Sequence, residues 1–244
     1  MDIRTEWIEI DVGGQKMRSY LAQPKSGGPY PGVIVIQEIF GVNSHIRSVA
    51  ERVAAEGYVA LAPEMFHRTA PKLELGYEQA DFGKGLELMA KAKLDEIRAD
   101  LGAAKTFLEG YAASKEKKTG CMGFCFGGHV TYIAACDLGI DAAASFYGGG
   151  IAVGSPGGGS PTFERTKNIK GEVLCLFGAK DAYIPADQVK KIGDALKAAG
   201  VNHEVKVYDG ADHGFFCDQR GTYQEAAARD AWEKVKALFR RALA

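Results

Sequence analysis

The chain has 244 residues, a length that one α/β domain with a continuous core can accommodate. Hydrophobic residues make up 46% and charged residues 25% of it, values that exclude a disordered or fibrous chain. With 30 basic and 31 acidic side chains the formal net charge is -1, and neither sign forms a long run. We therefore expect a small-molecule partner and no nucleic-acid or membrane-surface partner.

The first residues and the cysteines favour a cytoplasmic location. Residues 1–10 contain no basic stretch followed by an apolar segment, and no apolar run approaches the roughly 18 residues needed to span a bilayer. The five cysteines are an odd number with neither C-x-x-C nor zinc-finger spacing, which fits a reducing compartment. We expect no metal or organic cofactor. The oligomeric state stays open, a monomer included.

Hydrophobic patterning predicts an N-terminal hairpin followed by buried strands. Residues 5–10 and 16–22 flank a Gly13-Gly14 turn and predict a β-hairpin over about residues 5–22. Short apolar runs then predict the strands of a sheet, at residues 32–37, 58–62, 119–124, 142–146, 173–177 and 203–208. The first of these runs is continuously apolar and β-branched, which is typical of a strand buried on both faces of a parallel sheet.

Helical periodicity between these strands predicts the helices, which are expected from Asn43-Ser44 to Gly57, around 94–108, from about 128, at 185–199 and at 223–243. The alternation predicts an α/β fold with a doubly wound, mostly parallel sheet and helices on both faces, as one domain over residues 1–244. The glycine-rich segment 148–161 lacks the ending of a P-loop. It is interpreted as a flexible surface loop, with a lid over a site as the alternative.

The strongest chemical signal is the segment 123–128, Gly-Phe-Cys-Phe-Gly-Gly, between a predicted strand and a predicted helix. It matches the nucleophile elbow G-x-S-x-G with cysteine in place of serine, and its glycines suit a strained turn with close backbone contacts. The helix N-terminus favours the thiolate form of Cys125. The amide of Phe126 is expected to donate to the oxyanion of a tetrahedral intermediate. The alternative is a glycine-rich turn with an incidental buried cysteine.

Two later loops supply a candidate acid and a candidate base. Asp181 follows the strand at 173–177, and His213 follows the strand at 203–208. Hydrolases of this fold place the acid and then the histidine after the nucleophile, in loops that follow later strands. We therefore expect Cys125, Asp181 and His213 to meet at the carboxyl edge of the sheet as a catalytic triad.

Each of these loops taken alone resembles an ordinary polar turn. Asp212 competes with Asp181, but sequence neighbours in an extended loop face apart. His129 lies one helical turn after Cys125 and is expected to be packed or exposed, because an elbow points its nucleophile away from the following helix. The other histidines do not follow a late strand near an aspartate, and they are His45, His67 and His203.

Together these residues resemble the dienelactone hydrolase family of α/β-hydrolases, also called carboxymethylenebutenolidases, over nearly the whole chain. The matching motifs are Gln37-Glu38-Ile39-Phe40-Gly41, the elbow, Gly178-Ala-Lys-Asp181 and His213-Gly-Phe-Phe216. The resemblance implies that Glu38 lies beside the nucleophile and moves on substrate binding, which releases the thiolate next to the histidine. It also implies that the Ile39 amide is the second oxyanion donor. The alternative for Glu38 is a strand-end carboxylate that faces water.

The resemblance leaves the substrate open. The best-known members carry an arginine four residues after the catalytic histidine, where this chain has Cys217, and Arg220 is the candidate replacement. Phe40 and Tyr147 are further candidate substrate contacts. The expected reaction is thiolate attack on a small ester or lactone, such as a dienelactone-like enol lactone, through a thioester. The alternatives are a general carboxylesterase of other activated esters, a thiol-based redox sensor and a non-catalytic binding module.

Overall fold

The computed structural model describes residues 1–114 and 117–244. Within them, the strands are β1 (Ile3–Val12), β2 (Gln15–Pro24), β3 (Gly32–Ile36), β4 (Val59–Pro63), β5 (Thr119–Phe124), β6 (Ala142–Phe146), β7 (Glu172–Gly178) and β8 (His203–Tyr208). They form one sheet in the order β1-β2-β4-β3-β5-β6-β7-β8. Strand β2 is antiparallel to both of its neighbours, β1 and β4, whereas the six strands β3 to β8 all run parallel. The predicted doubly wound, mostly parallel sheet is confirmed.

The helices are α1 (Ser44–Ala55), α2 (Gln79–Met89), α3 (Leu94–Gly110), α4 (Phe126–Asp137), α5 (Ala186–Ala198) and α6 (Glu225–Ala242), with a 3-10 helix at Thr162–Asn168. Helices α1 and α6 lie together on one face, where Tyr58 contacts Phe239 edge to face. Helices α3 and α4 pack on the other face, and the 3-10 helix packs against both α4 and α5. Helix α2 and the 3-10 helix have no counterpart among the predicted elements.

The burial pattern explains why the central strands read as continuous apolar runs. Every residue of β3, β4, β5 and β6 is buried, because helices cover both faces of the sheet there. The edge strand β1 is largely exposed and alternates in character. The predicted cap of α1 is present, since the Asn43 side chain accepts a hydrogen bond from the Ile46 amide at 3.3 Å.

The order of the strands positions the site. The chain leaves β3 for β4 on one side, whereas β5 lies beside β3 on the other, so the connections diverge between β3 and β5. Ile36, the last residue of β3, pairs with Gly123 of β5. Glu38 and Cys125 each follow two residues later, which brings both to the crevice at the carboxyl edge of the sheet.

In the described part of the chain, no helix combines the length and the apolar composition that crossing a bilayer requires.

Candidate active site

Cys125 occupies a strained turn between β5 and α4. Its φ of 57° and ψ of -117° are a backbone conformation that residues with a side chain rarely adopt. Its amide donates to the carbonyl oxygen of Phe146 at 3.0 Å, which ties the turn to the end of β6. Cys125 is partly exposed and lines a cavity, so its sulfur is accessible from that space.

The glycines of the elbow are required by backbone contacts. A Cβ at Gly123 would collide with the carbonyl of Gly127, and one at Gly127 would collide with the carbonyls of Ile36 and Gln37. These contacts press the start of α4 against the end of β3. The elbow is therefore fixed by main-chain packing, and a glycine-rich turn with an incidental cysteine does not account for this geometry.

Asp181 and His213 meet in a buried hydrogen bond. The Asp181 Oδ2 atom lies 2.8 Å from His213 Nδ1, and Oδ1 accepts from the Tyr183 amide at 2.9 Å. Two aromatic rings, of Tyr147 and Tyr183, contact the imidazole edge to face at centroid distances of 5.1 and 5.2 Å. Asp181 therefore holds the ring by Nδ1, and Nε2 is the nitrogen left for proton transfer.

The electrostatics connect His213 to Cys125. Burial by itself lowers the pKa of His213, but the negative charge of Cys125 and hydrogen bonds to Asp181 and Cys125 outweigh it and raise that pKa to about 10. A histidine held this way is protonated at neutral pH. The structure thus brings together the three side chains that the sequence nominated.

Two residues of the cavity lining, Ile39 and Phe126, carry the backbone amides that the sequence nominated as oxyanion donors. Phe126 is the first residue of α4, and Ile39 lies in the loop after β3. Neither amide donates a hydrogen bond to another group of the described residues. Helix α2 touches this loop, since a Cβ at Gly85 would lie 2.8 Å from the Ile39 carbonyl oxygen. Helix α2 therefore packs directly against Ile39.

Glu38 is buried and paired with a cation. Its Oε1 accepts from Arg220 Nη1 at 2.9 Å, and its Oε2 has no hydrogen-bond partner within the described residues. The guanidinium lies against Gly214, where a Cβ would overlap it. Glu38 is therefore not a strand-end carboxylate facing water. Arg220 lies at the site although it is seven residues after His213 and not four.

The cavity above Cys125 has a volume of about 400 Å³. Its lining includes His213, Arg220, Ile39, Phe40 and Phe126. Phe40 lines the cavity, and its contact with a substrate stays a prediction. Tyr147 does not line the cavity: it is fully buried behind His213, and its hydroxyl has no partner within the described residues. It packs against the imidazole, outside the cavity lining where a substrate contact was expected.

One wall of the cavity was missed by the sequence reasoning. It consists of Phe82, Leu86 and Met89 on α2 and of Val153 in the glycine-rich segment, and these four residues are called the apolar wall below. The three helical residues lie at positions i, i+4 and i+7, a periodicity that would have indicated an amphipathic helix. The glycine-rich segment is therefore part of the site, closer to the lid alternative than to a bare connector.

His129 anchors the glycine-rich segment. It is buried, as the packing expectation required, and its Nε2 lies 2.7 Å from Thr162 Oγ1 beyond that segment. Burial and the nearby charge of Arg165 lower the pKa of His129 to about 4, so the ring is neutral at physiological pH. The ring also lines the cavity, where its bond to Thr162 holds the glycine-rich segment in place.

Within the described residues, one group of side chains has donor atoms close enough together to hold a metal ion: His45, Cys217 and Asp218, with all donor atoms within 4.8 Å of one another. Burial and the charge of Glu38 raise the pKa of Cys217 to about 12. Its thiol donates to the Tyr77 hydroxyl at 3.2 Å. A metal ligand must be a thiolate, so this donor set fits a metal poorly.

Comparisons with known proteins show which proteins the chain is similar to. The model of the dienelactone hydrolase family matches residues 17–243. A "Putative carboxymethylenebutenolidase" of Synechocystis is 46% identical over 239 residues, which cover 98% of this chain and 97% of that protein. Another from Methylorubrum extorquens is 34% identical and covers 96% and 79%. The solved structure of a "Putative Dienelactone Hydrolase" from Klebsiella pneumoniae superposes with a TM-score of 0.89 at 34% identity, covering 99% of this chain and all of that one.

Proposed function

The chain belongs to the dienelactone hydrolase family, and from that premise we propose that it hydrolyses a small ester or lactone with Cys125 as nucleophile, His213 as acid and base, and Asp181 as the orienting carboxylate. The observation that carries the proposal is the 2.8 Å contact between Asp181 and His213, at the edge of a cavity that His213 and Cys125 both line. The family membership makes the chain a hydrolase. The assignment of roles rests on this geometry.

Acylation begins from the thiolate and the imidazolium. The sulfur of Cys125 attacks the carbonyl carbon, and the negative charge that develops on oxygen is held by the Ile39 and Phe126 amides. When the tetrahedral intermediate collapses, the carbon–oxygen bond to the leaving group breaks and His213 Nε2 gives that oxygen its proton. The product of this half-reaction is a thioester on Cys125, with a neutral imidazole beside it.

Deacylation uses the change in charge that acylation causes. The negative charge that raised the pKa of His213 is absent in the thioester, so that pKa falls and the imidazole becomes a base. It takes a proton from water, whose oxygen adds to the thioester carbonyl. The second intermediate expels the Cys125 thiolate and releases a carboxylic acid. One histidine thus serves as acid in the first half and as base in the second.

Glu38 is proposed to control the sulfur before substrate binds, as the resemblance implies. Its Oε2 atom has no partner within the described residues and is free to accept a hydrogen bond. Its other oxygen is bound to Arg220. A carboxylate close to a thiolate disfavours the charged sulfur, so movement of Glu38 away from Cys125 would favour the nucleophilic form. In this role Arg220 balances the charge of Glu38 and fixes one end of it.

The test of the proposed function is the hydrolysis of p-nitrophenyl acetate by wild type and Cys125→Ala. We expect the substitution to abolish turnover, because Cys125 is the only thiol among the described residues that line the cavity. Cys125→Ser should be far slower than wild type, since a hydroxyl is much less acidic than a thiol. Cys136→Ala, at the buried end of the same helix, is the control and should keep wild-type activity. Turnover by Cys125→Ala above a few percent of wild type would rule out the assigned nucleophile.

A further inference from the structure

The apolar wall lines the same cavity as Cys125 and His213. Helix α2 contacts the loop that carries the Ile39 oxyanion donor, through the close approach of Gly85 to Ile39. The leaving group has to face His213, because that residue supplies its proton. The α2 side of the cavity, next to the Ile39 loop, is accordingly a surface that the acyl part of the substrate can contact.

Large hydrophobic side chains are exposed to solvent in the apolar wall and at the rim of the cavity. Within the described residues, the large hydrophobic side chains that are exposed are Met1, Leu86, Val153, Tyr183, Val207 and Tyr223. Three of these line the cavity: Leu86 is 39% exposed, Val153 61% and Tyr183 65%. An apolar patch concentrated around a cavity with a nucleophile in it indicates an apolar ligand group, because burial of that patch is favourable.

The charged side chains at the cavity favour an uncharged substrate over an anionic one. Arg220 is the only lysine or arginine among the described residues that line it, and its guanidinium is paired with Glu38 at 2.9 Å. A substrate carboxylate that took Arg220 would leave Glu38, which is 1% exposed, as a buried charge without its partner. A substrate carboxylate would therefore have to compete with Glu38 for the one arginine of the described lining residues, and an uncharged acyl group would not.

We propose that the site prefers uncharged esters and lactones whose acyl part is an extended apolar group lying against the apolar wall, and that it discriminates against the same acyl group ending in a carboxylate. This inference rests on the proposed function, since it concerns the substrate of the same Cys125 centre. The cavity volume of about 400 Å³ lies in the usual range of about 300 to 1,000 Å³ for sites of small organic ligands.

The experiment measures kcat/KM for the p-nitrophenyl esters of acetic, butyric and hexanoic acids and for the mono-p-nitrophenyl ester of adipic acid. The hexanoyl and adipoyl esters have acyl chains of the same length, and only the adipoyl ester ends in a carboxylate. Each value is divided by the rate of alkaline hydrolysis of the same ester. We expect about a three- to fourfold gain per added methylene. The adipoyl ester should fall at least tenfold below the hexanoyl ester.

A pair of variants tests the apolar wall directly. Leu86→Arg places a cation in the wall on a helix that tolerates arginine, and Val207→Arg makes the same change at an equally exposed site, also 39%, on β8 away from the cavity. We expect Leu86→Arg to lower kcat/KM for the hexanoyl ester and to raise it for the adipoyl ester, so that the ratio falls at least tenfold. Val207→Arg should leave the ratio unchanged.

The outcomes separate this inference from the proposed function. If wild type does not cleave the acetyl ester, or if Cys125→Ala still cleaves it, the proposed function fails and the inference fails with it. If Cys125 cleaves the acetyl ester but chain length brings no gain, or the adipoyl ester is the better substrate, the proposed function stands and the inference is overturned. An equal change of the ratio in both arginine variants would also overturn it.

Discussion

The two sides of the cavity are built in different ways. On the reaction side, Cys125, Asp181 and His213 follow parallel strands and are held by buried hydrogen bonds and by glycines that leave no room for a Cβ. The apolar wall instead consists of partly exposed side chains on one helix and one glycine-rich segment. Substitutions on the first side should alter the chemistry, whereas those on the second should alter which acyl groups are accepted.

The largest expected effect breaks the reaction side. His213→Ala should lower kcat/KM for p-nitrophenyl butyrate by roughly 10⁴-fold and Asp181→Asn by roughly 10³-fold. The double variant should be scarcely worse than His213→Ala, because Asp181 acts through the imidazole that it holds at 2.8 Å. The measurement is steady-state kinetics of the three variants and wild type. Losses that multiply would show that the two residues work independently and would return Asp181 to the status of a turn residue.

The second effect concerns the contact between helix α2 and the loop that carries Ile39. Gly85→Ala puts a Cβ 2.8 Å from the Ile39 carbonyl oxygen, so α2 or the Ile39 peptide has to move. We expect kcat to fall about 10- to 100-fold with little change in KM, a partial version of the loss of an oxyanion donor. Gly85 is thus a positioning residue, and the split between kcat and KM is the readout.

Gly83→Ala is the matched control for Gly85→Ala. It lies in the same helix, and a Cβ there would meet no heavy atom within 4 Å. Replacing an exposed helical glycine with alanine should stabilise the protein by roughly 0.5–1 kcal/mol and leave kcat unchanged. If Gly83→Ala slows turnover as much as Gly85→Ala does, the effect comes from helix propensity, and the proposed contact with Ile39 plays no part in catalysis.

The smallest effect sharpens the electrostatic description of the reaction side. Because the pKa of His213 is raised to about 10, the imidazolium that protonates the leaving group is present below that pH and lost above it. The kcat/KM for phenyl butyrate should therefore fall on the alkaline side near pH 10. Asp181→Asn removes part of the cause and should move this limit down by roughly one unit.

p-Nitrophenyl butyrate is the control for that pH profile, since p-nitrophenolate leaves without a proton and its alkaline limit should be weaker. A limit near the ordinary histidine value of about 6.5 in wild type would contradict the thiolate–imidazolium pair. An unchanged limit in Asp181→Asn would contradict the contribution of Asp181 alone.

The sequence predicted the reaction side because its residues carry local signatures. The elbow glycines at 123, 127 and 128 are dictated by contacts with neighbouring backbone, and Asp181 and His213 each follow an apolar strand in a fixed chain order. The sheet was predictable for the same reason, since strands buried on both faces are continuously apolar. The N-terminal hairpin was found at the predicted turn, with longer strands than the sequence indicated.

The apolar wall could not be assigned from the sequence, for physical reasons. Phe82, Leu86 and Met89 have helical spacing, but spacing alone does not say whether an apolar face packs on a core or lines a cavity. The pairing of Glu38 with Arg220 joins residues far apart in the chain, so only the fold reveals it. The 3-10 helix after the glycine-rich segment is held by packing and by side chains such as Thr166, and it carries no strong periodic signal.

The placement of the triad on three strands has a consequence for folding. Cys125, Asp181 and His213 follow β5, β7 and β8, which align only through parallel pairing across β6. Parallel pairs are non-local contacts whose loop-closure entropy is lost before the contacts form, and they are correspondingly slow to assemble. The side chains of the proposed triad can therefore come together only late, once this half of the sheet is complete, and a partly folded chain carries Cys125 without His213 beside it.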